Sequence, residues 1–309
     1  MRYLVNKLGS AAITLLVIIT LTFFLMHAIP GGPFDSAKKL PDSIMQNLNA
    51  RYNLDDPLWR QYLAYLKNIA KGDLGVSIKY EGKTVNQIIR EGFPVSALLG
   101  GIAITAAVFS GVLLGVVAAL NRNRWLDYLV SLFVTGGTSI PSFVLSGLLI
   151  YFIAIKLMWL PPAFWEGPES AVLPVLALAW LPAATIARLV RSSMIEVLSQ
   201  DYIKTARAKG LVMKTVVVRH ALPNSILPVL TYLGPAAALI LTGSFVVESI
   251  FTIPGLGKWF VMSVFNRDYT VIMGLTVFYG ALLILMNTLV DIAYTLLDPR
   301  IRIFPAEER

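Results

Sequence analysis

Long apolar runs, each of about the 20 residues a helix needs to cross a bilayer, recur from one end of this chain to the other. They lie at roughly 9–29, 95–120, 128–158, 171–193, 226–250 and 270–296. A chain of 309 residues that is 56% hydrophobic and only 14% charged cannot cover such runs with a polar surface of its own. The expected fold is an all-α polytopic membrane protein of six transmembrane helices. The third run contains Pro141, which predicts a kink or tilt, because backbone freed by proline at membrane depth must find partners or face a water-filled cavity.

The first run follows Arg2 and Lys7 as a secretory signal would. Its apolar stretch is longer than the usual signal core of about 7–15 residues, and Ala28-Ile29-Pro30 is a poor cleavage site, so an uncleaved anchor over 1–29 is expected. Cysteine is missing, which excludes disulfides and thiolate metal sites.

Positive charge sets the orientation. With the N-terminus inside, six spans return the C-terminus inside. The inner segments then hold Arg2 and Lys7; Arg122 and Arg124; Arg188, Arg191, Lys204, Arg207, Lys209, Lys214 and Arg219; and Arg300, Arg302 and Arg309. The short outer loops hold Lys258 and Arg267, with Glu166 and Glu169 in the first of them. The net charge of +8 is thus a consequence of topology and implies no nucleic-acid partner.

Residues 30–94 form a polar outer insertion, and 95–300 the core. Within the insertion, Pro57 to Lys71 reads as a helix, with Asp55 or Asp56 as N-cap, Leu58, Tyr62, Tyr65, Leu66 and Ile69 on one face, and Gly72 as stop. Asp73-Leu74-Gly75 reads as a turn, and Thr84 to Arg90 as a second short helix. The insertion is either a cap packed on the spans or a contact surface for an external partner. The loop Phe251 to Tyr269 mixes Pro254, Gly255 and Gly257 with Trp259 and Phe260. It is either a turn and a short amphipathic helix or an element re-entering a translocation cavity. Gly111 and Gly115 stand at GxxxG spacing, so another helix, of this chain or of a partner, approaches closely there.

A search for catalysis finds little. Two histidines, His27 and His220, fall at opposite ends of the topology, which removes His-based metal clusters and a Ser-His-Asp set. Ser77 to Thr84, SIKYEGKT, ends like a phosphate-binding loop but lacks its first glycine. Glu248 and Asp291 are the acids of the membrane region, both near span ends where local pairing suffices.

The segment Asp201 to Pro223, DYIKTARAKGLVMKTVVVRHALP, is too basic to span and lies between two spans. Ile203, Ala206 and Leu211 suggest an apolar stripe beside Lys204, Arg207 and Lys209, and Gly210 a stop. Taken alone, it could be a juxtamembrane helix drawn to anionic lipid.

Ala206, Gly210 and, nine residues later, His220-Ala221-Leu222-Pro223 resemble the EAA loop of bacterial ABC-importer permeases. Gly210, Leu222 and Pro223 match that pattern in spacing, whereas Lys204 replaces its Glu, Thr205 its first Ala and His220 its Ile. The form TARAKGL followed by RHAL is similar to the peptide/nickel branch, as are NLDDPLWRQYLAYLKNIAKGDLGVSI, SIPSF at 139–143, VVESIF-x-x-PGLG, NRDY at 266–269 and VDIAYTLLDPRIR. LPDSIMQNLNARYNLDDP is most similar to the B-type permease of oligopeptide importers.

The resemblance implies the type I ABC-importer permease fold in the bacterial inner membrane, and no catalysis or cofactor on this chain. ATP and Mg would sit on two cytoplasmic ATPase subunits. A homologous second permease would complete the pore, and an extracytoplasmic binding protein would deliver peptide, oligopeptide above dipeptide, glutathione or a nickel complex. Asp201, Lys204, Thr205, Ala206, Arg207, Ala208, Lys209, Gly210, Leu211, His220, Leu222 and Pro223 would form the ATPase-docking coupling element. Glu248, Pro254, Gly255, Gly257, Arg267, Asp268 and Pro141 are candidates for an outer gate or translocation path. An intramembrane enzyme would need a dyad or metal set that the chain does not show. An ATP-independent channel or secondary transporter would show midplane charges or an inverted repeat.

Overall fold

The computed structural model describes residues 2–29, 55–241 and 245–297. Residues 1, 30–54, 242–244 and 298–309, the last stretch including Arg300, Arg302 and Arg309, lie outside the described set, as do the side chain of Asp291 and most of LPDSIMQNLNARYNLDDP. The described chain is helical, and its chain contacts divide it into two compact units, Met1–Val95 with Gly255–Ile284, and Ser96–Pro254 with Leu285–Arg309.

In the first unit, α1 (Arg2–Ala28) carries the first apolar run. Helix α2 (Leu58–Ala70) follows Pro57, whose extended ψ of 139° makes it the N-cap, so neither Asp55 nor Asp56 caps by its side chain. Gly72 stops the helix at a φ of +77°, where a side chain would be strained. Tyr62 and Tyr65 of α2 pack with Ile78 and Phe260 on a buried cluster of Phe23, Met26, Tyr269, Ile272 and Met273, whereas Leu58 stays half exposed. Within this unit the insertion's helix is a cap on the end of α1 and the start of the last helix. Residues 76 and 84 form an isolated antiparallel bridge around SIKYEGKT, so the phosphate-loop look-alike is a small closed loop.

Helix α3 (Val85–Leu120) corrects the expected short helix at 84–90: it runs unbroken through Pro94 into the second span. Its first turns are buttressed by Val85 and Ile88 against Leu256, Val271 and Leu275, which holds the helical path despite the proline. At 36 residues it is roughly 54 Å long, more than the ~30 Å hydrocarbon core requires. The chain passes from one unit to the other inside this helix, after Val95.

In the second unit, α4 (Trp125–Ser139) and α5 (Ser142–Leu149) meet at Ile140-Pro141. Residues 150–156 continue α5 as a wider π-helix. The kink or tilt expected at Pro141 is a bend of 109°. Pro141 cannot donate a backbone N–H, its residue before is forced extended, and a new helix starts beyond it.

Helix α6 (Pro168–Leu198) is the axis of this unit, buried through Leu173, Ala177, Ala183, Ile186, Val190 and Met194. Small residues allow the approach around it. A Cβ added at Gly111 or Gly115 of α3 would lie 2.7 Å from the carbonyl oxygen of Ala183 or Ala187, so the neighbour of the GxxxG pair is this chain's own α6. A Cβ on Gly137 of α4 would come within 2.5 Å of Ala184. Then follow α7 (Asp201–Ala208), three short helical turns between Met213 and Ser225, α8 (Leu227–Leu241) and α9 (Phe245–Ile250). In the first unit, α10 (Leu256–Asn266) leads to α11 (Tyr269–Leu297), along which the chain passes back into the second unit after Ile284.

Among the described residues, five helices are long and apolar enough to cross a membrane, and six if the bent pair α4 and α5 is one span. The chain is thus a helical, multi-pass membrane protein.

Candidate functional site

Helix α6 ends at Leu198, and an extended Gln200 (ψ 151°) turns the chain into α7. Helix α7 is amphipathic over eight residues. Its apolar face is narrow: Ile203 and Ala206 sink into a cluster with Met194 of α6, Ala119 of α3, and Val216, Val217 and Ala221 from the returning chain. Ile203 is 1% exposed. Burying its side chain stabilises the seat by about 2 kcal/mol. The opposite face, with Asp201, Lys204, Thr205, Arg207, Ala208 and Lys209, is exposed.

The stop at Gly210 is a Schellman turn. The Leu211 N–H donates to the Ala206 carbonyl at 3.3 Å and the Gly210 N–H to the Arg207 carbonyl at 3.0 Å. Closing it needs the Gly210 φ of +81°. The turn corrects one expectation: Leu211 does not extend the buried stripe of Ile203 and Ala206. Reversal of the chain throws Leu211, Val212 and Met213 outward, and Val212 is 67% exposed.

The return path is a π-helical segment, Val216–Ala221, immediately before Leu222-Pro223. A proline ring crowds the carbonyl four residues back and offers it no N–H, and the widened turn removes that conflict. His220 is half-buried on this segment and Pro223 exposed. Sequence reasoning missed a clamp here. Asn224 Nδ2 donates to Tyr202 Oη at 2.9 Å and to the His220 carbonyl at 3.2 Å, tying α7 to the return path. Nothing in the local pattern marks that pair, because the residues are joined by the turn at Gly210. Lys204 Nζ reaches Asp201 Oδ1 at 2.8 Å, an exposed pair worth well under about 1 kcal/mol.

The other predicted residues fall into both units, each with a local role. In the second unit Glu248 of α9 is 1% exposed and accepts a hydrogen bond from Ser96 Oγ at 2.9 Å. Pro141 is the corner between α4 and α5. Pro254 is exposed at the end of this unit. In the first unit Gly255 is the extended N-cap of α10 and Gly257 is buried in its first turn. Arg267 ends α10 in the left-handed region, φ +55°.

Asp268 is fully buried. It accepts hydrogen bonds from Ser77 Oγ and from the N–H groups of Ile78 (3.2 Å), Lys79 (3.4 Å) and Val271 (3.3 Å). It therefore starts α11 and fastens the 76–84 loop at once. Tyr65, on α2 outside the spans, has a buried hydroxyl whose pKa is driven up by desolvation.

This all-helical multi-pass core, with a short amphipathic helix seated on the ends of α3 and α6, has the fold of chains solved in ABC transporters. A chain of the MetNI methionine ABC transporter, solved in inward-facing conformations, matches 69% of this chain and 97% of its own length at a TM-score of 0.57 and 16% identity. A chain of an amino acid ABC transporter crystallised with histidines matches 68% of this chain and 94% of its own at 0.53 and 19%.

The chain belongs to the family of binding-protein-dependent transport system inner membrane components, which it matches over residues 111–303, with the family's N-terminal part matched over residues 1–82. It is 54% identical to the dipeptide transport system permease protein DppB of Bacillus subtilis (strain 168), covering 98% of both chains. It is 46% identical to the oligopeptide transport system permease proteins OppB of Haemophilus influenzae and Salmonella typhimurium, covering 98% of this chain and 99% of each. It is accordingly a membrane permease component and not an enzyme.

Proposed function

We propose that the chain is the permease subunit of an ATP-driven peptide importer, with six spans, both termini in the cytoplasm and residues 30–94 outside. In this reading it forms half of a pore whose other half is a homologous permease. An extracytoplasmic binding protein delivers the peptide, and ATP with Mg is bound and hydrolysed on two cytoplasmic ATPase subunits. Residues 201–223 couple the two sides. Closure of the ATPases would press on α7, and the buried contacts of Ile203 and Ala206 with Met194 and Ala119 would pass that displacement to α6 and α3. The observation that carries the reading is this one: a short helix greased on one face to the ends of two long helices, and basic on the other.

The peptide cargo is supported by the names of the full-length relatives. The outer segment favours oligopeptides, while the relative at 54% identity is named for dipeptides. The pore has to pass varied side chains, so length preference would lie in the binding protein as much as here.

The test is to purify this chain from membranes expressing its own operon and assay the eluate for peptide-stimulated ATP hydrolysis. Recovery of a second permease and ATPase subunits with such activity is the expected result. A single-chain eluate that still moves peptide into vesicles without ATP would overturn the reading in favour of a stand-alone transporter.

A further inference from the structure

We infer that a cavity in the cap of the first unit holds a short, extended segment of the peptide cargo. The peptide backbone pairs with an open edge at Val76, and its terminal ammonium meets the Asp73 carboxylate. This rests on the peptide-importer reading and adds to it a place on this chain where cargo is held.

The cavity measures about 440 Å³, and its described lining lies wholly within the first unit. The end of α1, one face of α2, residues 73–78 and the start of α11 wall it. Its volume falls in the range of roughly 300–1,000 Å³ usual for small-molecule sites. Phe23, Tyr65, Tyr269 and Met273 give it an apolar side on which a cargo side chain can lie. His27 and Gln61 are engaged within the wall. His27 Nδ1 lies 2.8 Å from the Phe23 carbonyl oxygen and Nε2 3.3 Å from Gln61 Oε1, while Gln61 Nε2 donates to the Asp56 carbonyl at 2.8 Å.

The open edge is a consequence of register. The Ser77 N–H donates to the Lys83 carbonyl and the Val85 N–H to the Gly75 carbonyl, each at 2.9 Å. Val76 and Thr84 are therefore a non-hydrogen-bonded antiparallel pair, in which each residue turns its N–H and C=O away from the other. Val76 is 46% exposed and lines the cavity. Among the described residues, neither its N–H nor its C=O has a hydrogen-bond partner. A donor and an acceptor side by side on extended backbone are what an added strand pairs with, and a peptide carries the same two groups.

Asp73 supplies the charge. Its Oδ1 accepts from the Gly75 N–H at 2.9 Å, which fixes the carboxylate beside the edge. Among the described residues no Lys or Arg pairs with it, and it is the one acid of the described lining. It favours the amino terminus of a peptide over the carboxyl terminus. An acyl chain would use neither the backbone edge nor the carboxylate.

The test measures binding of a labelled tripeptide to the purified complex in lipid nanodiscs, without the binding protein. The same tripeptide is compared with forms that are acetylated at the amino terminus or methylated on the backbone nitrogens. A photoreactive copy maps the contact. Two variants accompany the wild type. Asp73→Asn keeps an oxygen for the Gly75 N–H, and Ala64→Phe fills the cavity from an exposed position on α2. Melting temperatures should stay unchanged in both. Wild type should label residues of 61–78 and 269–273, and should bind the acetylated and methylated forms roughly tenfold more weakly. Asp73→Asn should bind the free and acetylated forms alike, and Ala64→Phe should lose the labelling.

ATP-driven peptide uptake is followed in the same preparations. Labelling confined to other residues, or unchanged in Ala64→Phe, would overturn the cavity site while normal uptake left the importer reading standing. Equal binding of all three peptide forms by wild type would also overturn it. Displacement of the tripeptide by a fatty acid and not by unlabelled peptide would give the cavity to lipid. Absence of ATP-driven uptake in wild type would overturn the importer reading and the proposal with it.

Discussion

Arg191 grips Asp127 with two parallel hydrogen bonds, Nε to Oδ1 at 2.6 Å and Nη2 to Oδ2 at 2.7 Å. Asp127 is 3% exposed in the first turn of α4 and also accepts from the Asn123 N–H at 2.9 Å. The pair locks α4 to α6 one turn before Met194, the residue on which α7 rests. It therefore sets the position of the platform from which the coupling element projects.

Breaking one side should cost more than removing both. Asp127→Ala leaves the guanidinium half-buried and unpaired, and a loss on the order of 3 kcal/mol is expected. Asp127→Ala with Arg191→Met, which removes the unpaired charge, should recover most of it. Thermal unfolding of the purified permease pair for the two variants and Arg191→Met alone gives the coupling. Equal losses for the single and the double variant would show that the pair carries no such role.

The packing of α3 on α6 makes a sharper steric statement. Gly111→Ala and Gly115→Ala each place a methyl 2.7 Å from a backbone carbonyl oxygen and from a Cβ of Ile186 or Val190. Neither neighbour can swing aside, so a destabilisation of about 1–3 kcal/mol is expected for each. Gly101→Ala on the same helix meets nothing within 4 Å and should be neutral or slightly stabilising, because alanine favours helix. The comparison is read from the melting temperatures of the three variants.

The sequence offered Asp268 of NRDY as a candidate for an outer gate or translocation path, and the structure gives it a local anchoring role. It is buried under the loop it fastens. Asp268→Ala would strand the Ser77 hydroxyl and the Ile78 N–H, whereas the Lys79 N–H keeps Ser77 Oγ at 3.2 Å, and a cost of about 2–3 kcal/mol is expected. Protease accessibility of the 76–84 loop should rise in Asp268→Ala and less in Asp268→Asn. An unchanged digestion pattern would show that the loop is held by other contacts.

What the sequence made visible follows from the range of the forces involved. Apolar runs and the basic segment are properties of consecutive residues, so the helices and α7 could be read directly. Gly210 and Gly72 were readable as stops because a left-handed residue is a local requirement. The Asp127–Arg191 and Tyr202–Asn224 pairs were not, because they join residues 64 and 22 positions apart with no shared pattern. Two local rules were overridden by tertiary structure. Pro94 should have ended a helix and is carried through by the packing of Val85 and Ile88. Leu211 should have joined Ile203 and Ala206 and is turned outward by the residue before it.

Gly210 allows the demands of the fold to be separated from those of a docked partner. Its φ of +81° costs an alanine roughly 1 kcal/mol, whereas asparagine tolerates the left-handed region far better. Among the described residues, none other than its two chain neighbours lies within 4 Å of a Cβ built there, so neither substitution meets a steric conflict with them. Gly210→Asn should therefore keep the melting temperature of the permease pair, and Gly210→Ala should lower it slightly. If the ATPase surface lies against this turn, both variants should lose ATPase retention and peptide uptake together, in spite of their different effects on stability. Uptake that follows stability alone, normal in Gly210→Asn and reduced in Gly210→Ala, would mean that the glycine serves only the turn and that the partner's surface lies elsewhere on α7.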